Sequence, residues 1–238
     1  HYNILEGLTK INVDGSVTPL LAESWTMDAD GKAFTFKLRK GVKFQDGSAF
    51  DSAAVKFSFE RAKAEKSTNK AKGAVFNNIS HIATPDAHTV VLVLNNPDGN
   101  FLFRMGENTA VILHPSSAAN AATKPVGTGP YKLDSWAKGS AVTLSKWDGF
   151  RDANAIQVKK VTFRFINDSS AQVAALLAGD IDVAFGPAEV VIQAVNKGAD
   201  LKIIGSGSRG NIFYLMAGAH TETPNAAKGY PAVMADLK

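Results

Sequence analysis

The stretch Gly205-Ser206-Gly207-Ser208-Arg209-Gly210 has the G-x-G-x-x-G spacing of loops that cradle phosphates. Such a loop works when it opens a helix whose N-terminus faces the pyrophosphate, with an acidic residue about 20 positions on for the ribose. Here Ile212-Phe213-Tyr214-Leu215 follows and reads as a strand, while Glu222 comes early in a polar run. The glycines therefore read as a crossing between two strands. A nucleotide-dependent enzyme using Gly205–Gly210 as a phosphate loop is the alternative reading of the chain. Arg209 stands between glycines, where backbone can approach a ligand and a guanidinium can grip a carboxylate through two parallel hydrogen bonds. Its blander reading is a solvated arginine.

Other reactive types are scattered. The histidines His1, His81, His88, His114 and His220 lack the i, i+4 spacing that aims two rings at one metal ion, so no metal site is expected. Asp180 and Asp182 would share one side of a strand, but no nucleophile or acid–base partner stands near them in sequence. No G-x-S-x-G elbow occurs. No catalytic residue and no cofactor are assigned. Trp25, Trp136 and Trp147 each close a predicted strand, where packing is the simplest role and the wall of a ligand cleft the sharper one.

These residues must be carried by a chain of 238 residues, 45% hydrophobic, which is enough to bury a sizeable core. A net charge of +4 is mild and spread along the sequence, so a polyanionic partner is not demanded. The absence of cysteine excludes disulfides and thiolate chemistry and suits an exported protein. No apolar run approaches the roughly 18 residues of a membrane span. His1-Tyr2-Asn3 does not begin a signal peptide.

Alternation dominates the first half. Phe34, Phe36 and Leu38 interleave with Thr35, Lys37 and Arg39, predicting a strand with a buried apolar face and a wet basic one. The cations up to Lys43 then belong to a solvated sheet face and not to a nucleic-acid patch. Asp51 is placed to cap a helix from about Ser52 to Lys66, and Thr89 to Leu94 reads as a strand. "PVGTGP", Pro125 to Pro130, is a rigid loop leading into a hairpin of Tyr131–Trp136 and Val142–Trp147. Beyond it a strand at Val158–Ile166, a helix at Ser169–Leu177 and a short strand at Ile181–Phe185 read as a β-α-β unit. A helix opened by Pro187 and a strand at Leu201–Ile204 follow. The change from hairpins to mixed α/β texture falls near Trp147–Gln157.

Several runs together resemble the family 5 extracellular solute-binding proteins of ABC importers, which include dipeptide, oligopeptide and nickel binders. They are "ILEGL" (Ile4–Leu8), "PLLAESW" (Pro19–Trp25), "FTFKLRKGVKFQDG" (Phe34–Gly47), "DAHTVVLVL" (Asp86–Leu94), "VGTGPYKL" (Val126–Leu133) and "LLAGDIDV" (Leu176–Val183). The resemblance implies an α/β fold, a periplasmic-binding-protein-like lobe with a mixed sheet plus an inserted hairpin-rich α+β subdomain. Residues 9–148 would form that subdomain, and residues 1–8 with 149–238 part of lobe one. Family members are about twice as long, so the second lobe is expected to be absent and the chain partial, with the family's first strand preceding His1.

The implied function is capture of a small solute, a peptide or similar polar molecule, and its delivery to a membrane ABC permease, by a monomer that is periplasmic (or extracellular and membrane-associated) and without nucleic-acid partners. From lobe one the resemblance points to Ser208, Arg209, Gly210 and Asn211 as ligand contacts. Phe185 and Gly186, expected at the carboxyl end of a strand ahead of a helix, join them. Most ligand-selecting residues would lie in the other lobe, so weak binding by this chain alone is expected.

Overall fold

The structure is a computed structural model that describes residues 2–186 and 188–202. The chain divides into two units, 1–165 and 166–238. In the first, β1 (Thr9–Ile11) and β2 (Val17–Pro19) form a small antiparallel ribbon. Next come β3 (Ala22–Met27), β4 (Ala33–Leu38), helix α1 (Ser52–Lys63), β5 (Ile79–Asp86) and β6 (Thr89–Leu94). The four strands make one antiparallel sheet in the order β3-β4-β6-β5.

The alternation read in β4 determines its burial. Phe34, Phe36 and Leu38 are at most 1% exposed and face the core. Lys37 is exposed and donates through Nζ to Thr89 Oγ1 at 2.8 Å. On β6 the register Phe34↔Leu92 and Phe36↔Val90 places further buried side chains beside the phenylalanines. Burial of each such side chain contributes about 1.5–3 kcal/mol. Helix α1 covers this face with Val55, Phe59 and Ala62, and Asp51 caps it by accepting from the Ala54 N–H at 3.2 Å. The helix stops at Lys63, earlier than Lys66, because the apolar repeat ends at Ala62 and Ala64 turns to extended backbone. Lys63 Nζ, in the last turn, donates to the Ile79 carbonyl.

A short helix α2 (Phe101–Arg104) packs Phe101 against Phe34 with ring centroids 4.7 Å apart. Strands β7 (Tyr131–Ala137), β8 (Ala141–Lys146) and β9 (Lys160–Arg164) then form a second antiparallel sheet. The first two are the expected hairpin, turned at Gly139 with φ +76°. β9 joins this hairpin, and the first unit runs to Phe165.

In the second unit α3 spans Ser169–Leu177, with Asp168 accepting from the Ala171 N–H at 2.7 Å. Gly179, at φ +74°, ends it, and α4 follows at Ala188–Asn196. Ile181–Phe185 is not a strand, which corrects the expected β-α-β unit. A strand needs a paired neighbour; β9 pairs antiparallel with β8, and every strand pairing among the described residues is antiparallel. Leu201 and Lys202 are likewise not in a strand, and the remainder of that expected strand lies outside the described residues. Among the described residues no helix is long and apolar enough to cross a membrane.

Candidate functional site

Ser208, Arg209, Gly210 and Asn211, with the whole Gly205–Gly210 run, lie outside the described residues. Phe185 and Gly186 lie within them, in the connection between α3 and α4. Phe185 is 84% exposed. A Cβ on Gly186 would stand 2.8 Å from Gln172 Oε1, and Gln172 donates through Nε2 to the Ile166 carbonyl at 2.7 Å. The absence of side chain at Gly186 thus lets the chain pass close to the α3 amide. The expected strand end is missing, so these two positions occupy a loop ahead of a helix. Asp182 is exposed on the same loop, so Asp180 and Asp182 do not share a strand face.

The structure brings together residues that sequence order keeps apart. Glu6, from "ILEGL", is 5% exposed. Arg151 donates to it through both ends of its guanidinium, to Oε1 at 2.6 Å and to Oε2 at 2.7 Å. Thr128, from "VGTGPY", donates to Glu6 Oε2 at 2.8 Å. A buried carboxylate is tolerated because the fork and the hydroxyl replace the water it loses. Burial alone would lower the Arg151 pKa, but the hydrogen bonds and charge of Glu6, helped by Asp152, outweigh it and hold the guanidinium above its ordinary value.

Gln45, from "VKFQDG", ties the same segments at their backbones. Its Nε2 donates to the carbonyls of Ile4 at 3.1 Å, Gly129 at 3.1 Å and Tyr131 at 2.7 Å, while its Oε1 accepts from the Gly127 N–H at 3.2 Å. The glycines are required by this approach. A Cβ at Gly129 would fall 2.7 Å from the Ile4 carbonyl carbon, and one at Gly127 would strike the Ile4 oxygen. Sequence reading singled out the runs that carry Glu6, Gln45 and Thr128 but gave these side chains no role. Arg151 had no signal at all.

Beside this network lies a cavity of about 240 Å³ lined by Gly41, Lys43, Thr128, Trp147, Gly149 and Arg151. Trp147 folds back over the Asp148-Gly149 turn, where a Cβ on Gly149 would come 2.6 Å from the indole. Lys132 Nζ stands 5.6 Å from the centroid of the same ring. Trp25 packs against the core, and Trp136 is 44% exposed. Of the histidines, His114 Nδ1 stands 3.3 Å from Asp46 Oδ2. Among the described residues no group of three histidines or carboxylates is gathered in a way that could hold a metal ion.

Comparison with known proteins gives this arrangement its relatives. Residues 16–226 match the family described as bacterial extracellular solute-binding proteins, family 5 Middle. The glutathione-binding protein GsiB of Salmonella paratyphi A is 30% identical over 207 residues, covering 85% of this chain and 40% of that protein. Among solved structures, AgaA from A. tumefaciens R10, in complex with agropinic acid, is 34% identical with a TM-score of 0.71, over 76% of this chain and 37% of its own. DppA from Helicobacter pylori, in complex with the peptide STSA, is 30% identical with a TM-score of 0.72, over 82% and 43%. The chain therefore spans about 40% of the length of the GsiB relative, and its α/β fold is that of the periplasmic binding proteins.

Proposed function

As the chain belongs to the family 5 bacterial extracellular solute-binding proteins, we propose that the protein carrying it captures a small peptide or similar polar solute and delivers it to a membrane ABC permease. The single observation that carries this reading is the family match over residues 16–226. The chemistry of the relatives' ligands refines it. Glutathione, agropinic acid and a tetrapeptide are the molecules named for the relatives above, and each is small and polar. The reading places the protein outside the cytoplasm, in the periplasm, as a monomer.

In this proposal residues 9–148 are an inserted structural subdomain, and residues 1–8 with 149–238 contribute to the first ligand-binding lobe. Ser208, Arg209, Gly210 and Asn211 are the proposed solute contacts, with Arg209 gripping a carboxylate and the glycine letting backbone N–H groups approach it. Phe185 and Gly186 lie on a loop that opens a helix, a position from which backbone groups can also reach a ligand. Binding works by enclosing the solute between lobes, so that polar groups satisfy it away from water. The network of Glu6, Gln45, Thr128 and Arg151 fixes the segments around the "VGTGPY" loop and is assigned a structural role.

A thermal-shift series with glutathione, agropinic acid and the peptide STSA tests the function. A true ligand at a hundred times its Kd adds about 2.7 kcal/mol and raises Tm with concentration. A flat Tm for small peptides, opines and related polar solutes alike would contradict it.

A further inference from the structure

We propose that His114 is a proton-driven switch: when neutral, its Nδ1 caps the short helix that follows it, and when protonated it gives up that cap to pair with Asp46. It shares no residue with segments 185–186 and 208–211, so it stands or fails separately from solute capture.

The geometry gives one nitrogen two competing partners. His114 is the N-cap of a 3-10 helix, Pro115–Asn120, where its Nδ1 accepts from the Ser116 N–H at 3.3 Å and lies 2.7 Å from Ser116 Oγ. Asp46 Oδ2 lies 3.3 Å from the same atom. Nδ1 can accept through its lone pair or donate through a hydrogen, but it cannot do both. In the capping state a lone pair therefore stands close to a carboxylate oxygen with no proton between them. A proton on Nδ1 makes that contact favourable and removes the acceptor from Ser116. The unpaired N–H groups of a helix start also repel a cation, which pushes the same way.

The surroundings hold the ring and leave the choice to the proton. Phe44, which is fully buried, packs against the imidazole edge to face, with centroids 5.0 Å apart. Ser48 donates to Asp46 Oδ1 from its N–H at 3.0 Å and its hydroxyl at 2.5 Å, which leaves Oδ2 for the imidazolium. Burial raises the Asp46 pKa, but these bonds and the charge of His114 outweigh it and hold the carboxyl below the ordinary aspartate range. The carboxylate is thus already ionised where an imidazole takes up its second proton, ordinarily near about pH 6.5. Among the described residues Asp46 is the charged group that meets the ring. Lys43 on the same turn and Lys124 beyond the helix make no contact with it, and Glu6, whose bridge partner Ile112 is close to His114 in sequence, is engaged by Thr128 and Arg151.

An NMR pH titration of the 238-residue chain tests the switch by following the His114 ring, the Ser116 amide and the Asp46 carboxyl carbon. Above the ring's transition, Nδ1 is expected to carry no hydrogen. As pH falls through it, the Ser116 amide should lose its hydrogen-bonded shift and the Asp46 carbon should move in the same transition. Exchange of amides 116–120, corrected for the intrinsic effect of pH, should rise about fivefold, the worth of one helix cap. His114→Asn supplies a cap that does not titrate and should abolish all three responses. The proposal is overturned if neutral His114 carries its hydrogen on Nδ1, or if the Ser116 amide or the Asp46 carbon stays flat while the ring titrates. Persistence of the responses in His114→Asn would assign them to another group and equally overturn it.

Discussion

The first unit and the described part of the second use similar sequence devices and reach different degrees of burial. In residues 2–165 one core runs from Leu8 to Ile112, with Phe34, Phe36, Phe44, Phe50, Phe59, Phe76 and Phe101 all at most 2% exposed. In residues 166–202 no described residue is buried, although α3 is capped as cleanly as α1 and α4 carries Ile192 and Val195. Capping and periodicity are enough to define a helix. A core needs apolar faces brought against one another, and within 166–202 Leu177, Ile192 and Phe185 stay 54%, 49% and 84% exposed.

The largest effect should come from the core. Phe36→Ala is expected to cost about 3–5 kcal/mol in urea unfolding, whereas Leu177→Ala, at an exposed position, should change it by less than about 0.5 kcal/mol. Equal costs would erase the distinction between the units. Glu6→Ala comes next. It leaves the partly exposed Arg151 fork without its partner, and a loss of about 1.5–3 kcal/mol is expected, with the paired change Glu6→Ala/Arg151→Met recovering part of it. A double-mutant cycle showing no coupling would remove the network from the account.

Much of the first unit was legible because its pattern is local. The period of two in β4, the β-branched run of β6 and the cap Asp51 read correctly from a few adjacent residues. Strands β1 and β2 were missed because segments of three residues are too short to show periodicity. β5 was missed because it is an irregular edge: its register shifts between Ile79 and His81 and again between Ala83 and Asp86, and Pro85 is tolerated only on such a strand. The opposite error, a strand at Ile181–Phe185, came from β-branched residues that find no neighbour to pair with among the described residues. Of the site, the runs were visible and the contacts were not. That Gly127 and Gly129 form a rigid loop follows from their spacing, but that the loop abuts Ile4 and is held by Gln45 depends on packing between distant segments.

Smaller effects sharpen the contrast further. Asp51→Ala and Asp168→Ala each remove a helix cap, worth about 1 kcal/mol. The first should appear in global unfolding, since α1 lies on the core, and the second only as faster amide exchange within α3. The smallest concerns acid. Burial raises the Asp46 pKa, but the hydrogen bonds from Ser48 and the charge of His114 outweigh it and hold the carboxyl below the ordinary aspartate range. A depressed folded-state pKa gives stability that is present at neutral pH and lost as pH falls through the aspartate range. Asp46 is a partly exposed group, so the effect should be under about 1 kcal/mol. Asp46→Asn should lower Tm at neutral pH and flatten its decline on acidification. An unchanged slope would refute that assignment.

Hydrogen exchange with and without glutathione, agropinic acid or the STSA peptide tests solute capture most directly, because it reads binding and its location together. The account predicts that a bound solute protects amides at 208–211 and 185–186 and leaves β4 and β6 unaltered. A solute that binds while 208–211 exchange as they do in the free protein, or exchange unaffected throughout the chain by every one of these probes, would contradict it.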